Sequence, residues 1–239
     1  MAKSKSKNNS LRKIKAIFIK EIKDALRSNK IVFLFLLFPV FTYFLTFAMK
    51  GNVGTNPLIF LTMHISMIPL MVTAALIAEE KDKQTLRVLI LSNVKPMQYL
   101  LGIGSFVFIL NIITSCFFLP LLHLQLIFIP KFLLIISLGI LCSTILGAII
   151  GVIVKGGSNV AAASTPITIL FALVPLLASG SGNGFLASIA SWLYSGQLMT
   201  IIFDLANNFT FVRVSIMLTN LLILTTVFVF VYNQKKLSD

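Results

Sequence analysis

Residues 132–154 read FLLIISLGILCSTILGAIIGVIV, twenty-three consecutive positions without a charged side chain. A helix of that length rises about 34 Å at 1.5 Å per residue, enough to cross a hydrocarbon core about 30 Å thick. A Lys, Arg or Asp near the bilayer centre costs about 2.5–3.5 kcal/mol, so a charge-free run of this length is what a membrane span requires. Five further runs of the same kind occupy 31–49, 58–78, 97–122, 161–178 and 214–232. The sequence therefore predicts an all-α integral membrane protein with six transmembrane helices, and no connection between them is long enough to bury a soluble core.

The gaps alternate in charge. Of the 20 Lys and Arg residues, 17 lie before the first run, between the second and third, between the fourth and fifth, or after the sixth; only Lys50, Lys131 and Arg213 lie elsewhere. Basic residues are retained on the cytoplasmic side, which predicts a multi-pass plasma-membrane protein with both termini cytoplasmic. The net charge of +13 then faces anionic inner-leaflet lipid rather than nucleic acid, since the chain offers no soluble basic face. The first run begins at Ile31, is of full spanning length and has no small-residue cleavage site behind it, so no secretory signal peptide is expected. Cys116 and Cys142 both fall inside runs, where they read as small packing residues rather than a disulfide or metal pair.

The chain divides into a basic tail with an interface helix (1–30) and a membrane domain (31–239). Within the tail, residues 1–10 are rich in Lys, Ser and Asn and read as disordered. Leu11, Ile14, Phe18, Ile22 and Leu26, with Ala25, recur at steps of three and four opposite Arg12, Lys13, Lys15, Lys20 and Lys23. That is an amphipathic helix lying at the inner surface, or simply an electrostatic anchor.

The segment 79–96 begins Glu79-Glu80-Lys81-Asp82-Lys83-Gln84-Thr85-Leu86-Arg87 and continues the second span directly. Leu86, Leu89 and Ile90 then recur at helical spacing, giving an apolar face without a core of its own: a docking element, or a solvated loop with incidental leucines. Gly139, Ser143, Gly147 and Gly151 stand four apart on the fourth span and predict close helix packing, within or between subunits. Pro166 and Pro175 predict a bent fifth span. After it, 179–184 is a Gly/Ser break, and 185–203 predicts short re-entrant or interfacial helices on the outer side, with Trp192 and Tyr194 in the interfacial aromatic belt.

Polar residues inside the spans are few. Thr62, Ser66 and Thr73 on the second span and Asn111 on the third, beside Thr114 and Ser115, either line a substrate path or bond helix to helix. His64 and His123 stand on separate helices without a carboxylate at membrane depth, a poor metal or proton-relay pair. No metal site, catalytic nucleophile–base pair or Gly-x-x-x-x-Gly-Lys-Ser/Thr phosphate loop is present, so no cofactor is expected on this chain and it is not expected to be an enzyme.

The basic helix at 11–27, the Leu37-Phe38-Pro39 of the first span, the run from Ala78 through Glu79-Glu80-Lys81 to Ser92, and Tyr99-Leu100-Leu101-Gly102 together resemble the membrane subunit of type-2 ABC exporters. The resemblance implies a permease that pairs with a second copy or a similar permease, above two copies of a separate ATPase that binds ATP and Mg. It makes 79–94 the coupling region, with Glu79, Glu80, Lys81, Asp82, Lys83, Thr85, Leu86, Arg87 and Leu89 as contact residues. It also places the N-terminal helix at the ATPase boundary. Gln84 stands where Gly commonly precedes Thr in the family, and no large outer domain is present. The implied cargo is an antimicrobial peptide, antibiotic or lipid-linked molecule. An ion-exporting permease, a non-transporting anchor or immunity protein, and a membrane-embedded enzyme are the alternatives.

Overall fold

A computed structural model describes residues 2–28, 30–48, 57–83, 94, 96–154, 156–181 and 184–238. All regular elements among them are helical: α1 (Ala2–Ser28), α2 (Lys30–Ala48), α3 (Pro57–Asp82), α4 (Pro96–Cys116), α5 (Leu119–Leu122), α6 (Ile129–Ile153), α7 (Val160–Ser181), α8 (Gly184–Trp192), α9 (Tyr194–Phe203) and α10 (Phe211–Ser238), with single 3-10 turns at Leu126–Phe128 and Gly157–Asn159. Six of them, α2, α3, α4, α6, α7 and α10, are long and apolar enough to cross a membrane. Helices meet the requirement that every backbone N–H and C=O be satisfied within the segment where there is no water.

The third apolar run does not continue to 122. α4 stops at Cys116, four residues before Pro120, whose ring clashes with that carbonyl and which has no N–H to give it. Residues 2–10, expected to be disordered, continue α1. They contain neither Gly nor Pro, and the helix propagates outward from its packed half.

The buried seam of α1 is rotated by one residue from the expected stripe. Ile17, Glu21 and Ala25 are buried at its centre, with Phe18 and Ile22 packing alongside, while Leu11 stays 59% exposed and Ile14 is half-buried. Leu26 lies outside the described side chains. Gly102 of α4 makes this seam possible, since a methyl group there would lie 2.7 Å from Ile17 Cβ.

α3, α4 and α6 form the buried centre, and α2, α7 and α10 lie around them with few of their residues buried. Among the membrane-spanning helices, α3 and α6 meet closely at three glycines. A methyl group on Gly147 would collide with the Leu70 carbonyl oxygen and lie 2.9 Å from its Cα; one on Gly151 would lie 2.8 Å from Ile77 Cβ; one on Gly139 would lie 2.9 Å from Ile65 Cγ2. The small-residue stripe is thus used within the subunit. Ser143, its fourth member, hydrogen-bonds instead with the Tyr194 hydroxyl at 2.9 Å.

That bond defines the path of α8 and α9. Ser143 lies fourteen residues, about 21 Å, into α6, and Asn220, whose Nδ2 donates to the Trp192 carbonyl at 3.0 Å, lies about 14 Å into α10. The chain therefore descends through α8, turns by 99° at Leu193 and climbs back through α9, whose residues 194–199, 201 and 202 are buried. This is the re-entrant form of the expected outer helices. Neither Trp192 nor Tyr194 sits in an interfacial belt. Tyr194 is fully buried because Ser143 satisfies its hydroxyl, and Trp192 is 75% exposed at mid-depth.

The α3–α6 contact predicts a sharp ranking of glycine substitutions. Gly147→Ala should lower stability by about 1–3 kcal/mol because backbone cannot move aside, whereas Gly104→Ala, whose methyl would sit 3.5 Å from Thr144 Cγ2, should be tolerated. Thermal unfolding of the two purified variants in detergent checks this, and equal melting temperatures would contradict it.

Candidate functional site

Four consecutive charged residues end α3, and at 100° per residue they point around the full circle of the helix. Glu79 is exposed and accepts from Lys83 Nζ at 2.6 Å, one turn on. Glu80 is buried and accepts from Lys20 of α1 and from the Tyr99 hydroxyl of α4 at 2.5 Å. Lys81 reaches the C-terminus of α6, where its Nζ donates to the carbonyls of Val152 at 2.8 Å and Val154 at 2.5 Å. Those are carbonyls that a helix end leaves unpaired, and a cation there also meets the negative end of the helix dipole. Asp82 Oδ2 accepts from the Gly157 N–H at 2.6 Å in the α6–α7 turn. The turn needs glycine twice: Gly156 has φ 81°, and a methyl on Gly157 would lie 2.6 Å from Asp82 Oδ2. One end of one helix thereby ties α1, α4, α6 and the start of α7 together.

The same end of the bundle carries both terminal helices, since Tyr99 packs on Tyr232 of α10 with ring centroids 6.2 Å apart. Between α1 and α3 lies a cleft of about 390 Å³ lined by charged groups from both helices, Lys20, Glu21, Asp24 and Arg27 against Glu79, Glu80 and Lys83. Lys20 Nζ sits 3.1 Å from Glu21 Oε1 and also bonds Glu80, so one ammonium serves two buried carboxylates. Burial pushes the Glu21 carboxyl up to about 7; the Lys20 charge pulls against this, while Glu80 and Asp24 add to it. Burial works against the Lys20 charge, but the bond to Glu80 and the fields of both carboxylates outweigh it and raise its pKa.

Of the residues expected at the coupling site, the structure brings together Glu79, Glu80, Lys81, Asp82 and Lys83; Thr85, Leu86, Arg87 and Leu89 lie outside the described residues. Lys20, Glu21 and Tyr99 belong to the same network; from sequence Lys20 was expected only on the polar face of α1 and Tyr99 only as part of the 99–102 run, and Glu21 was not singled out. A Glu within an apolar stripe, at the seam position between Ile17 and Ala25, was the signal available. Thr62, Ser66, Thr73 and Asn111 are all buried inside the bundle, and the cleft between α1 and α3 is not lined by them. Thr62 bonds back to the Leu58 carbonyl at 2.8 Å, and His64 Nε2 meets Thr114 Oγ1 at 3.0 Å. Among the described residues, Ser66 Oγ, Thr73 Oγ1 and Asn111 Nδ2 are buried without a hydrogen-bond partner. No group of three His, Cys, Asp or Glu among the described residues is placed to hold a metal. The arrangement at the end of α3 fixes the ends of α1, α4 and α6 and the α6–α7 turn relative to one another.

Glu21 makes the α1 contact pH-sensitive. Its folded-state pKa of about 7 lies above the ordinary 4.5, so the stability it contributes is fully present below about 4.5 and is lost as pH rises through about 7. The melting temperature of the wild type should therefore fall between pH 5 and 8 more steeply than that of Glu21→Gln; parallel slopes would show that the buried carboxyl does not titrate in this window.

Comparison with known proteins agrees with the architecture. No curated protein matches the chain. Residues 50–232, from the connection before α3 to the last turns of α10, match the family described as ABC-2 family transporter protein. With well over half of the chain matched and six membrane-spanning helices in place, the protein belongs to the ABC-2 transporter family and is a transmembrane subunit of an ABC transporter.

Proposed function

We propose that this chain is the permease subunit of an ATP-driven exporter that carries an amphipathic or lipidic molecule, such as an antimicrobial peptide, an antibiotic or a lipid-linked glycan, out of the cell. ABC-2 permeases work with an ABC ATPase. In this reading two ATPase copies, each with ATP and Mg, sit beneath a pair of permeases, and both termini and the 79–96 segment face them in the cytoplasm. The observation that carries the reading is the family match over 50–232 together with the end of α3, where consecutive charges are fixed to four other elements immediately before the 84–93 segment.

The mechanism is mechanical. Leu86 and Leu89 seat in a groove of the ATPase, and Thr85, Arg87, Glu79 and Lys83 set register and charge complementarity. Closure of the ATPase pushes this segment, and α3 delivers the push to α1, α4, α6 and α7 through Glu80, Lys81 and Asp82. The six membrane-spanning helices carry charges only near their ends, so the membrane interior offers an apolar cargo favourable surroundings and a bare ion little compensation for lost hydration.

Affinity purification of the chain in mild detergent, from cells expressing its neighbouring genes, tests this. A stoichiometric ATPase should co-elute and hydrolyse ATP. Leu86→Asp or Leu89→Asp should abolish co-elution and ATP-driven export while leaving membrane insertion intact. A chain that purifies alone and without nucleotide hydrolysis refutes the exporter reading.

A further inference from the structure

At the opposite end of the bundle a second cleft, of about 310 Å³, lies in the crook between α8 and α9 and is walled by α7. Pro175, Ala190 and Phe203 give it apolar sides, and no carboxylate lines it. Its one charged group is Arg213. The guanidinium donates from Nη1 to Gln197 Oε1 at 3.1 Å, and the buried Gln197 amide is itself fixed through its Nε2 to the Ser191 carbonyl. A guanidinium has five N–H donors, so this neutral partner orients the cation without neutralising it and leaves most of its donors to spare.

Two further observations say what the spare donors are for. Arg213 is the third residue of α10, where the dipole's positive end disfavours a cation, and the first turn of α10 contains no acid. Among the described residues no salt bridge reaches Arg213, and Asp204, the nearest carboxylate in the chain, is occupied by the Ala206 and Asn207 N–H groups at 3.2 and 3.1 Å. Lys131, the other described cation at this end, lies over the Phe128 and Phe209 rings instead. An unpaired arginine at the edge of a membrane span favours an anion. Depth supplies the rest: the Trp192 carbonyl is bonded by Asn220, seven residues or about 10 Å deeper along α10 than Arg213. The cleft thus has a cation toward its outer end and apolar walls along the re-entrant pair.

We infer that this cleft binds an amphiphile with an anionic phosphate or carboxylate head, the head on Arg213 and the chain along α8 and α9 at the level of Trp192. The head can belong to a bilayer lipid or to the transported molecule; only the second assignment rests on the exporter reading.

Trp192 is the single tryptophan of the chain and follows Ser191, a residue of the cleft wall, so its fluorescence reports on lipid beside the cleft. The full chain is reconstituted in phosphatidylcholine vesicles containing equal fractions of either phosphatidylglycerol or phosphatidylcholine brominated in mid-chain, and quenching of Trp192 is compared. Brominated phosphatidylglycerol should bind about tenfold more strongly than brominated phosphatidylcholine, the difference expected of one charge-assisted head-group contact. Arg213→Gln should erase the preference and Arg213→Lys should keep most of it, with both variants eluting as the wild type does in size-exclusion chromatography. Equal quenching by the two lipids in the wild type, or a preference that survives Arg213→Gln, overturns the inference. Dodecyl phosphate then separates the sources in the co-purified complex. A rise in ATP hydrolysis that Arg213→Gln removes identifies the head as cargo, and displacement of brominated phosphatidylglycerol with hydrolysis unchanged identifies a lipid site. If no ATPase co-purifies, the exporter reading fails while the quenching comparison still decides whether the anionic site exists.

Discussion

The structure depends on how closely α6 approaches α3. In lipid, two apolar helices gain little by hiding from solvent, and what holds them is contact between surfaces that fit. Gly147 lets the Leu70 backbone come within a distance that any side chain would forbid, and Gly139 and Gly151 extend the seam toward Ile65 and Ile77. α2, α4, α7, α9 and α10 all pack on that pair. α9 meets the Gly139 end of the seam at Leu198, α1 reaches the pair through α4 at Gly102, and α8 reaches it through α7 and α9.

Where the seam ends, chemistry of another kind begins. Glu80, Lys81 and Asp82 leave the apolar region as α3 does, and each finds a partner on a different element: an ammonium and a phenol, the carbonyl end of α6, and a backbone N–H in the next turn. Breaking a buried charged pair by removing one partner costs about 3–5 kcal/mol, because the remaining charge is left uncompensated. Since Glu80 is held by both α1 and α4, it ties these three helix ends to one another.

Charge exclusion made the spans legible in the sequence, because the penalty it expresses is large and local: all six apolar runs became long helices. The failures came where a tertiary partner reverses a local signal. Glu21 breaks the apolar stripe of α1, so the stripe reads as centred on Leu11, Ile14, Phe18 and Ile22, whereas Lys20 allows the carboxylate to lie in the seam. Tyr194 resembles an interfacial aromatic until Ser143 is seen to satisfy its hydroxyl in the middle of the bundle. Pro120 ends α4 by a purely local clash, a signal present in the sequence although the run was expected to continue to 122. The cap made by Lys81 left no such signal, because its carbonyl partners are about seventy residues away.

The same contacts decide where the molecule can yield. At Gly147, and against the Ala74 carbonyl at Gly151, the seam is backbone against backbone, and repulsion there rises too steeply for α3 to slide along α6 by small steps. A displacement applied at the end of α3 is therefore carried through the α3–α6 pair as a rigid movement. Gly139 touches both Ile65 of α3 and Leu198 of α9, so the re-entrant helix travels with the pair. Burial is slightest along α2 and α10, so displacement relative to the pair falls there. The bend between α8 and α9 is not such a place: a methyl group on Gly196 of α9 would collide with the Ala190 carbonyl oxygen, and Gln197 Nε2 donates to the Ser191 carbonyl, so backbone contact and a hydrogen bond together hold the angle between the two helices.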